Sequence, residues 1–400
     1  MSAYEAIPEA REYLARHDIK GWLIYDYQQS NPALWSLLGE APNVTRPCWL
    51  WIPTTGRPTL LDHSVDAGRF ADALDAARSH GVAIEESRYS SRAQMLEALS
   101  GLLGDGGRVA MEYSPYAELP RVARVDAGAV ELVRSMGVEV VSSGDVMQYA
   151  TERWTPAQLA SHREAMDGLV RTVRAAFDFI SENINWRITE HDVAEFIRGR
   201  YERLGLHAPE GPVVAMNAHA SDPHYEPRPD TASVIRKNSL VLIDLWARPK
   251  RDDGVFADIT WTAFVGESPR PEHERVFGAV REARDTAVTM MEDAFEQGRA
   301  LQGWELDRAA REVIARHGYG EYFVHRLGHS LGRDVHSNAV NLDDWETHDT
   351  RTLIPGLAVT VEPGVYLPEF GIRSEIDVYI GEDGPEVTGE VQQELTRVTY

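Results

Sequence analysis

The stretch LVLIDLWARPKRDDGVFADITWTAFVG, residues 240–266, poses the question on which the fold turns. Two apolar runs, Leu240–Trp246 and Val255–Ile259, read as buried strands, and each carries a carboxylate, Asp244 and Asp258. The segment between them, Arg248–Gly254, is polar and turn-rich, which makes the whole a β-hairpin with a longish loop. With the turn centred on Arg251, Asp244 and Asp258 become cross-strand partners on one face, with Cβ atoms ~5 Å apart. Like charges so placed are destabilising, and burial adds several kcal/mol for each. Either one carboxylate stays protonated or a cation sits between them. A register off by one, or an Asp turned to solvent, would remove the conflict.

Further ligand types follow downstream. HRLGHSLGRDVHS, 325–337, sets His325, His329 and His336 among glycines. VTVEPGVYLP, 359–368, places Glu362 in a strand-like run ending at a Pro-Gly turn. In GIRSEIDVYI, 371–380, alternation puts Ile372, Ser374 and Ile376 on one face and Arg373, Glu375 and Asp377 on the other. Four apolar strands that each carry a carboxylate, together with a Gly-flanked His, point to a metal centre.

Around this core the chain is globular. It has 400 residues, 43% hydrophobic and 26% charged, enough for two domains. Residues 1–150 alternate helix patterns (4–17, 65–80, 91–103) with strand patterns at 21–25, 48–52, 59–61, 108–111 and 138–141, which reads as an α/β domain. Neither a phosphate loop nor a dinucleotide fingerprint occurs in it. Thr155-Pro156 opens a helix over 156–183, and Thr189 with Asp192 caps another to Leu204. Helix patterns at Pro271–Ala294 and Trp304–His317, each pair followed by strands, suggest two halves of one domain sharing a cleft.

Net charge is −23, from 63 acidic and 40 basic residues. That balance disfavours nucleic acid and anionic membrane surfaces as partners. The single cysteine, Cys48, excludes a disulfide framework within the chain and suits a cytoplasmic location. The first residues form a charged amphipathic pattern without an apolar h-region, so no signal peptide is expected. No apolar run reaches the ~20 residues of a membrane span.

The order Asp, Asp, His, Glu, Glu, with the motifs GHSLG, VEPG and GIRSE, resembles the metallopeptidases that include prolidase, aminopeptidase P and methionine aminopeptidase. The resemblance covers about 155–385, and more loosely 1–150, a domain that methionine aminopeptidases lack. It implies an α/β creatinase-like N-terminal domain over 1–150 and an α+β catalytic domain of the pita-bread fold over 151–400. It further implies two divalent ions, Mn²⁺ foremost with Co²⁺, Zn²⁺ or Fe²⁺ as alternatives, held by Asp244, Asp258, His329, Glu362 and Glu375. Four carboxylates would offset the +4 charge of the pair.

By the same resemblance Glu362 carries protons, while His224 and His336 bind substrate and stabilise the oxyanion. Arg373 pairs with ligand carboxylates or steers substrate, and His325 lies behind the ligands. The implied reaction is hydrolysis of Xaa-Pro bonds in small peptides with proline second. An Xaa-Pro dipeptidase is favoured over an aminopeptidase P acting on longer chains. A metal-free creatinase-like enzyme or a non-catalytic relative would have lost ligands that are intact here. A dipeptidase needs a cation for the substrate's terminal carboxylate, for which Arg333, Arg351 and Arg46 are candidates. Family precedent also implies a homodimer, with Tyr27–Trp35 of one subunit near the other's cleft. The chain departs from the family pattern in a longer segment between the Asp ligands, Trp261 where Arg is common, Arg326 where Gly is common, and Ser337 where an acid is common.

Overall fold

The computed structural model describes residues 3–39 and 44–400. The chain divides into two compact units, with the break between Arg153 and Trp154.

The first unit is built on one six-stranded sheet. Its strands are β1 (Gly21–Asp26), β2 (Cys48–Pro53), β3 (Thr59–His63), β4 (Glu85–Tyr89), β5 (Arg108–Met111) and β6 (Glu139–Ser142), in the order β4-β3-β2-β1-β5-β6. Helix α1 (Ala3–Arg16) precedes the sheet, α2 (Pro32–Leu38), α3 (Ala71–Ser79), α4 (Arg92–Leu103) and α5 (Ala127–Ser135) lie between its strands, and the single-turn α6 (Gly144–Met147) follows it. Two apolar clusters, one per face, bury the sheet: Trp22, Ile24 and Leu50 face one way, Leu23, Trp49 and Leu61 the other. Period-two alternation in β1 and β2 produces both faces at once. The helix pattern near 65–80 is trimmed to Ala71–Ser79, and the strand pattern at 138–141 is shifted by one residue to Glu139–Ser142. The sequence reading missed α2, seven residues long, and β4, whose EESRY exposes three of five side chains.

The second unit begins with α7 (Pro156–Asn183) and α8 (Glu190–Leu204). A complete capping box starts each one, Thr155 with Gln158 and Thr189 with Asp192. Strands β7 (Leu206–His207), β8 (Val213–Met216), β9 (Leu240–Pro249) and β10 (Ala257–Val265) follow, then α9 (Pro271–Glu296) and α10 (Gly303–Arg316). The last strands are β11 (Ser330–Leu331), β12 (Ala358–Val361), β13 (Gly364–Leu367), β14 (Phe370–Arg373), β15 (Ile376–Gly381), β16 (Gly384–Val387) and β17 (Thr396–Val398). They form one sheet in the order β17-β10-β9-β7 with β8 also on β9, a second in the order β11-β12-β15-β16, and the hairpin β13-β14.

Alternation explains how this unit holds together. The odd-numbered residues of β9 and β10, Val241 to Ala247 and Ala257 to Val265, pack against α7 and α8. The same role falls to α9 and α10 against β12 to β15, around Val359, Val361 and Ile372. Even-numbered residues of β9 and β10 turn away from the helices, and there Asp244, Asp258, Thr260 and Thr262 lie. A strand covered on both sides reads as a continuous apolar run, which is why only the acidic residues betray its second face.

The hairpin register differs from the expected one. Asp244 lies opposite Thr260, and Asp258 opposite Trp246. The turn is closed by Gly254 N–H to the Arg251 carbonyl (3.0 Å), so the axis passes through Asp252 rather than Arg251. The two aspartates therefore meet diagonally on one face. Nor do all four carboxylates sit within strands. Glu362 follows the last residue of β12, and Glu375 lies in the break between β14 and β15. No helix among the described residues is long and apolar enough to cross a membrane.

Candidate functional site

The second faces of the two sheets meet through polar contacts. Glu375 N–H donates to the Thr260 carbonyl (3.1 Å), and Asp258 N–H to Oδ2 of Asp377 (2.9 Å). The Thr262 hydroxyl donates to the Arg373 carbonyl (2.9 Å). Between them Asp258, His329 and Glu375, all buried, bring one ligand atom each within 4.8 Å of one another. His329 Nε2 stands 3.8 Å from Asp258 Oδ2 and 3.7 Å from Glu362 Oε1, beyond hydrogen bonding. Its Nδ1 faces the Ser330 carbonyl at 3.2 Å, which places the proton there and directs the Nε2 lone pair at the carboxylates. Gly328 makes this approach possible, since a Cβ there would fall 2.0 Å from the Thr360 carbonyl oxygen.

Asp244 joins from β9, facing the same side as Asp258 and Thr260, and accepts from Arg373 Nη2 at 2.6 Å. Burial raises the carboxyl pKa of Asp244, Asp258 and Glu375 above the usual range and pushes Glu362 up to about 7. Mutual repulsion adds to burial at Asp258 and Glu375, while Arg373 opposes it at Asp244 and Glu362. Asp258 Oδ1 is buried without a hydrogen-bond partner. Four clustered carboxylates, an orphaned oxygen and an imidazole lone pair aimed inward fit divalent cations: oxygen-rich donors with one nitrogen suit Mn²⁺-like ions.

Arg373 is buried and its guanidinium is engaged within the protein. Its Nε donates to Thr260 (3.0 Å), Nη1 to Tyr366 (2.9 Å) and Nη2 to Asp244, so it holds the Asp244 carboxylate in place. The Tyr366 hydroxyl in turn donates to His325 Nε2 (2.6 Å), whose Nδ1 faces the Arg326 carbonyl (2.7 Å). Burial lowers the His325 pKa to about 3, so this imidazole is neutral. His336 places its ring 4.3 Å from that of His329, edge to face. His224 is exposed in the loop after residues 217–221, its N–H bonded to Asp222. That loop is tied by Glu190, which accepts from Met216 N–H, Ser233 N–H and the Tyr225 hydroxyl (2.6 Å each) and from His219 Nδ1.

One of the three candidate carboxylate clamps is committed elsewhere. Arg351 is buried, paired with Asp349 (2.6 Å) and bonded to the Asn338 carbonyl (2.6 Å). Arg46 is exposed in the first unit beside Thr45. Arg333 is exposed.

Residues 160–382 match metallopeptidase family M24. The chain belongs to this family. An Xaa-Pro dipeptidase from Pyrococcus furiosus is 31% identical over 229 residues, 56% of this chain and 59% of that relative's length. Among solved structures, dipeptidase PepE from Mycobacterium ulcerans superposes with a TM-score of 0.70 at 23% identity, over 100% of this chain and 98% of that one. X-Pro aminopeptidase from Thermotoga maritima does so at 0.60 and 21%, over 99% and 100%. The second unit of this M24 protein has the pita-bread fold.

Sequence reasoning missed Thr260, Tyr366 and Glu190, and placed Asp377 on the face of Glu375 without giving it a role. Thr260 had the same kind of signal, since it lies two residues past Asp258 and so shares its face.

Proposed function

We propose that the chain is a dinuclear-metal Xaa-Pro dipeptidase, with residues 151–400 its catalytic domain and 1–150 a creatinase-like domain. The observation that carries this reading is the buried group Asp244, Asp258, His329, Glu362 and Glu375, set around an orphaned carboxylate oxygen. The name of the Pyrococcus furiosus relative supports the substrate class. Asp244, Asp258, His329, Glu362 and Glu375 would hold the two ions, manganese by the donor set.

When bound, such a pair supplies a nucleophilic water near neutral pH and polarises the scissile carbonyl. Glu362, with 15% of its side chain exposed against a fully buried Glu375, is the carboxylate that takes the water's proton and returns it to the leaving nitrogen. His336, next to His329, donates to the developing oxyanion. His224, on the loop held by Glu190, lines the substrate path. Arg373 and Thr260 keep Asp244 and Glu375 in place. A cytoplasmic homodimer is the setting we infer, acting on small peptides with proline second.

The test is hydrolysis of Ala-Pro and Ala-Pro-Ala side by side, with Mn²⁺ and with chelator. Chelator-sensitive cleavage of the dipeptide alone is expected. Cleavage of the tripeptide at Ala-Pro makes the chain an aminopeptidase P, and cleavage of neither by metal-loaded protein overturns the Xaa-Pro reading.

A further inference from the structure

The arginines around the site differ in what their guanidinium groups do. Arg373 is committed to three acceptors and Arg351 to Asp349 and a carbonyl. Arg311 is bonded to Asp307 and to the Phe323 and His325 carbonyls. Arg326 stands apart: its side chain is 20% exposed, and among the described residues its guanidinium donates no hydrogen bond. The near contact is Nη1 to Glu346 Oε2 at 3.7 Å, too long for one.

Its place is beside the reacting centre. The next residue, Leu327, receives Glu362 N–H on its carbonyl (2.8 Å), and His329 is three residues on. Arg326 is among the charges that favour ionised Glu362, and Glu346 among those that oppose it. Glu346 is fixed, because Asp343 caps its turn through Trp345 and Glu346 N–H (2.9 Å each) and Glu346 Oε1 accepts Arg326 N–H (3.1 Å). The guanidinium thus stands next to a carboxylate held too far away to close a bidentate pair. A fork of five N–H donors in a largely shielded position is the chemistry that receives a ligand carboxylate.

We propose that Arg326 binds the free α-carboxylate of the substrate and so restricts the cleft to dipeptides. This rests on the Xaa-Pro reading. A residue after proline would bring a neutral amide to the guanidinium in place of an anion. Glu346 tunes the site by competing for the same cation.

The experiment compares metal-loaded wild type, R326M, R326K and E346Q on Ala-Pro and Ala-Pro-amide, with calorimetric binding of L-proline and L-prolinamide alongside. The wild type prefers the acid in both assays. R326M loses that preference at least tenfold, mainly through KM, R326K keeps part of it, and E346Q widens it. An unchanged acid-over-amide preference in R326M, or its absence from the wild type, overturns the proposal. If R326M fails to fold, R326K decides on the same criterion. Arg326-dependent proline binding by a chain that cuts no Ala-Pro would sink the peptidase reading and keep the carboxylate site. Ala-Pro cleavage with R326M discriminating like wild type would do the reverse.

Discussion

Replacing Thr260 by Val removes one oxygen and little volume. That oxygen donates to Glu375 Oε2 at 2.7 Å and accepts from Arg373 Nε at 3.0 Å. A hydrogen bond to a charged group contributes about 1.5–3 kcal/mol, and 1.4 kcal/mol is tenfold in an equilibrium constant. Loss of the bond to Glu375 alone should therefore weaken Mn²⁺ binding roughly 10- to 100-fold, in line with the usual effect of removing a group that orients a ligand. The assay is calorimetric titration of the metal-free protein, with its melting temperature recorded to establish folding. T260S restores the hydroxyl and should recover most of the affinity. T262V is the control, because the Thr262 hydroxyl bonds the Arg373 carbonyl rather than a carboxylate. If T260V binds Mn²⁺ within about threefold of wild type, or if T262V is equally impaired, Thr260 does not orient Glu375 and the account of the site is wrong there.

Other tests reach further from the centre. Glu112 is fully buried, accepts from Trp22 Nε1 (2.6 Å) and Asn31 Nδ2 (2.7 Å), and burial pushes its carboxyl from 4.5 up to about 7. The folded state then holds a proton that the unfolded state releases first, so this contribution is full below pH 4.5 and is lost as pH rises through 7. Urea unfolding of wild type against E112Q should show the difference shifting by about 3 kcal/mol in the variant's favour between pH 4 and 8. R351M strands a buried Asp349 and should cost about 3–5 kcal/mol of stability, while the acid-over-amide preference stays as in wild type; loss of that preference would return Arg351 to the substrate. G371A puts a Cβ 1.8 Å from the Ala220 carbonyl oxygen and should cost about 1–3 kcal/mol in thermal melts, together with a raised KM if the 217–221 turn steers the loop that carries His224.

What could be read in the chain was whatever short-range chemistry determines. Thr155-Pro156 and Thr189 start their helices where their caps predict, because a cap and its partner lie three residues apart. The order of the acidic and imidazole residues announced a metal centre, since burial leaves carboxylates few other uses. The register of the β9–β10 hairpin was not legible: it depends on which turn residues bond, and moving the axis by one residue left every side chain on its face. Thr260 with Glu375, and His325 with Tyr366, are pairs 115 and 41 residues apart. No local pattern links them. The break at Glu375 was hidden because the alternation of Ile372, Ser374 and Ile376 runs through it without interruption, whereas Pro363-Gly364 did mark the strand end beside Glu362.

The joint between the two inner faces has a consequence for assembly. Thr260 and Glu375 are 115 residues apart, and the sheets that carry them are each backed by their own helix pair. Each half therefore owns a local hydrophobic reason to form, whereas the ion site exists only once the halves have docked. A cation bound there acts as a clip closing a very long loop, with a loop-closure entropy that grows only slowly with its length. Metal should accordingly slow unfolding more than it speeds folding, and its removal should loosen the docking of the halves before it melts either one.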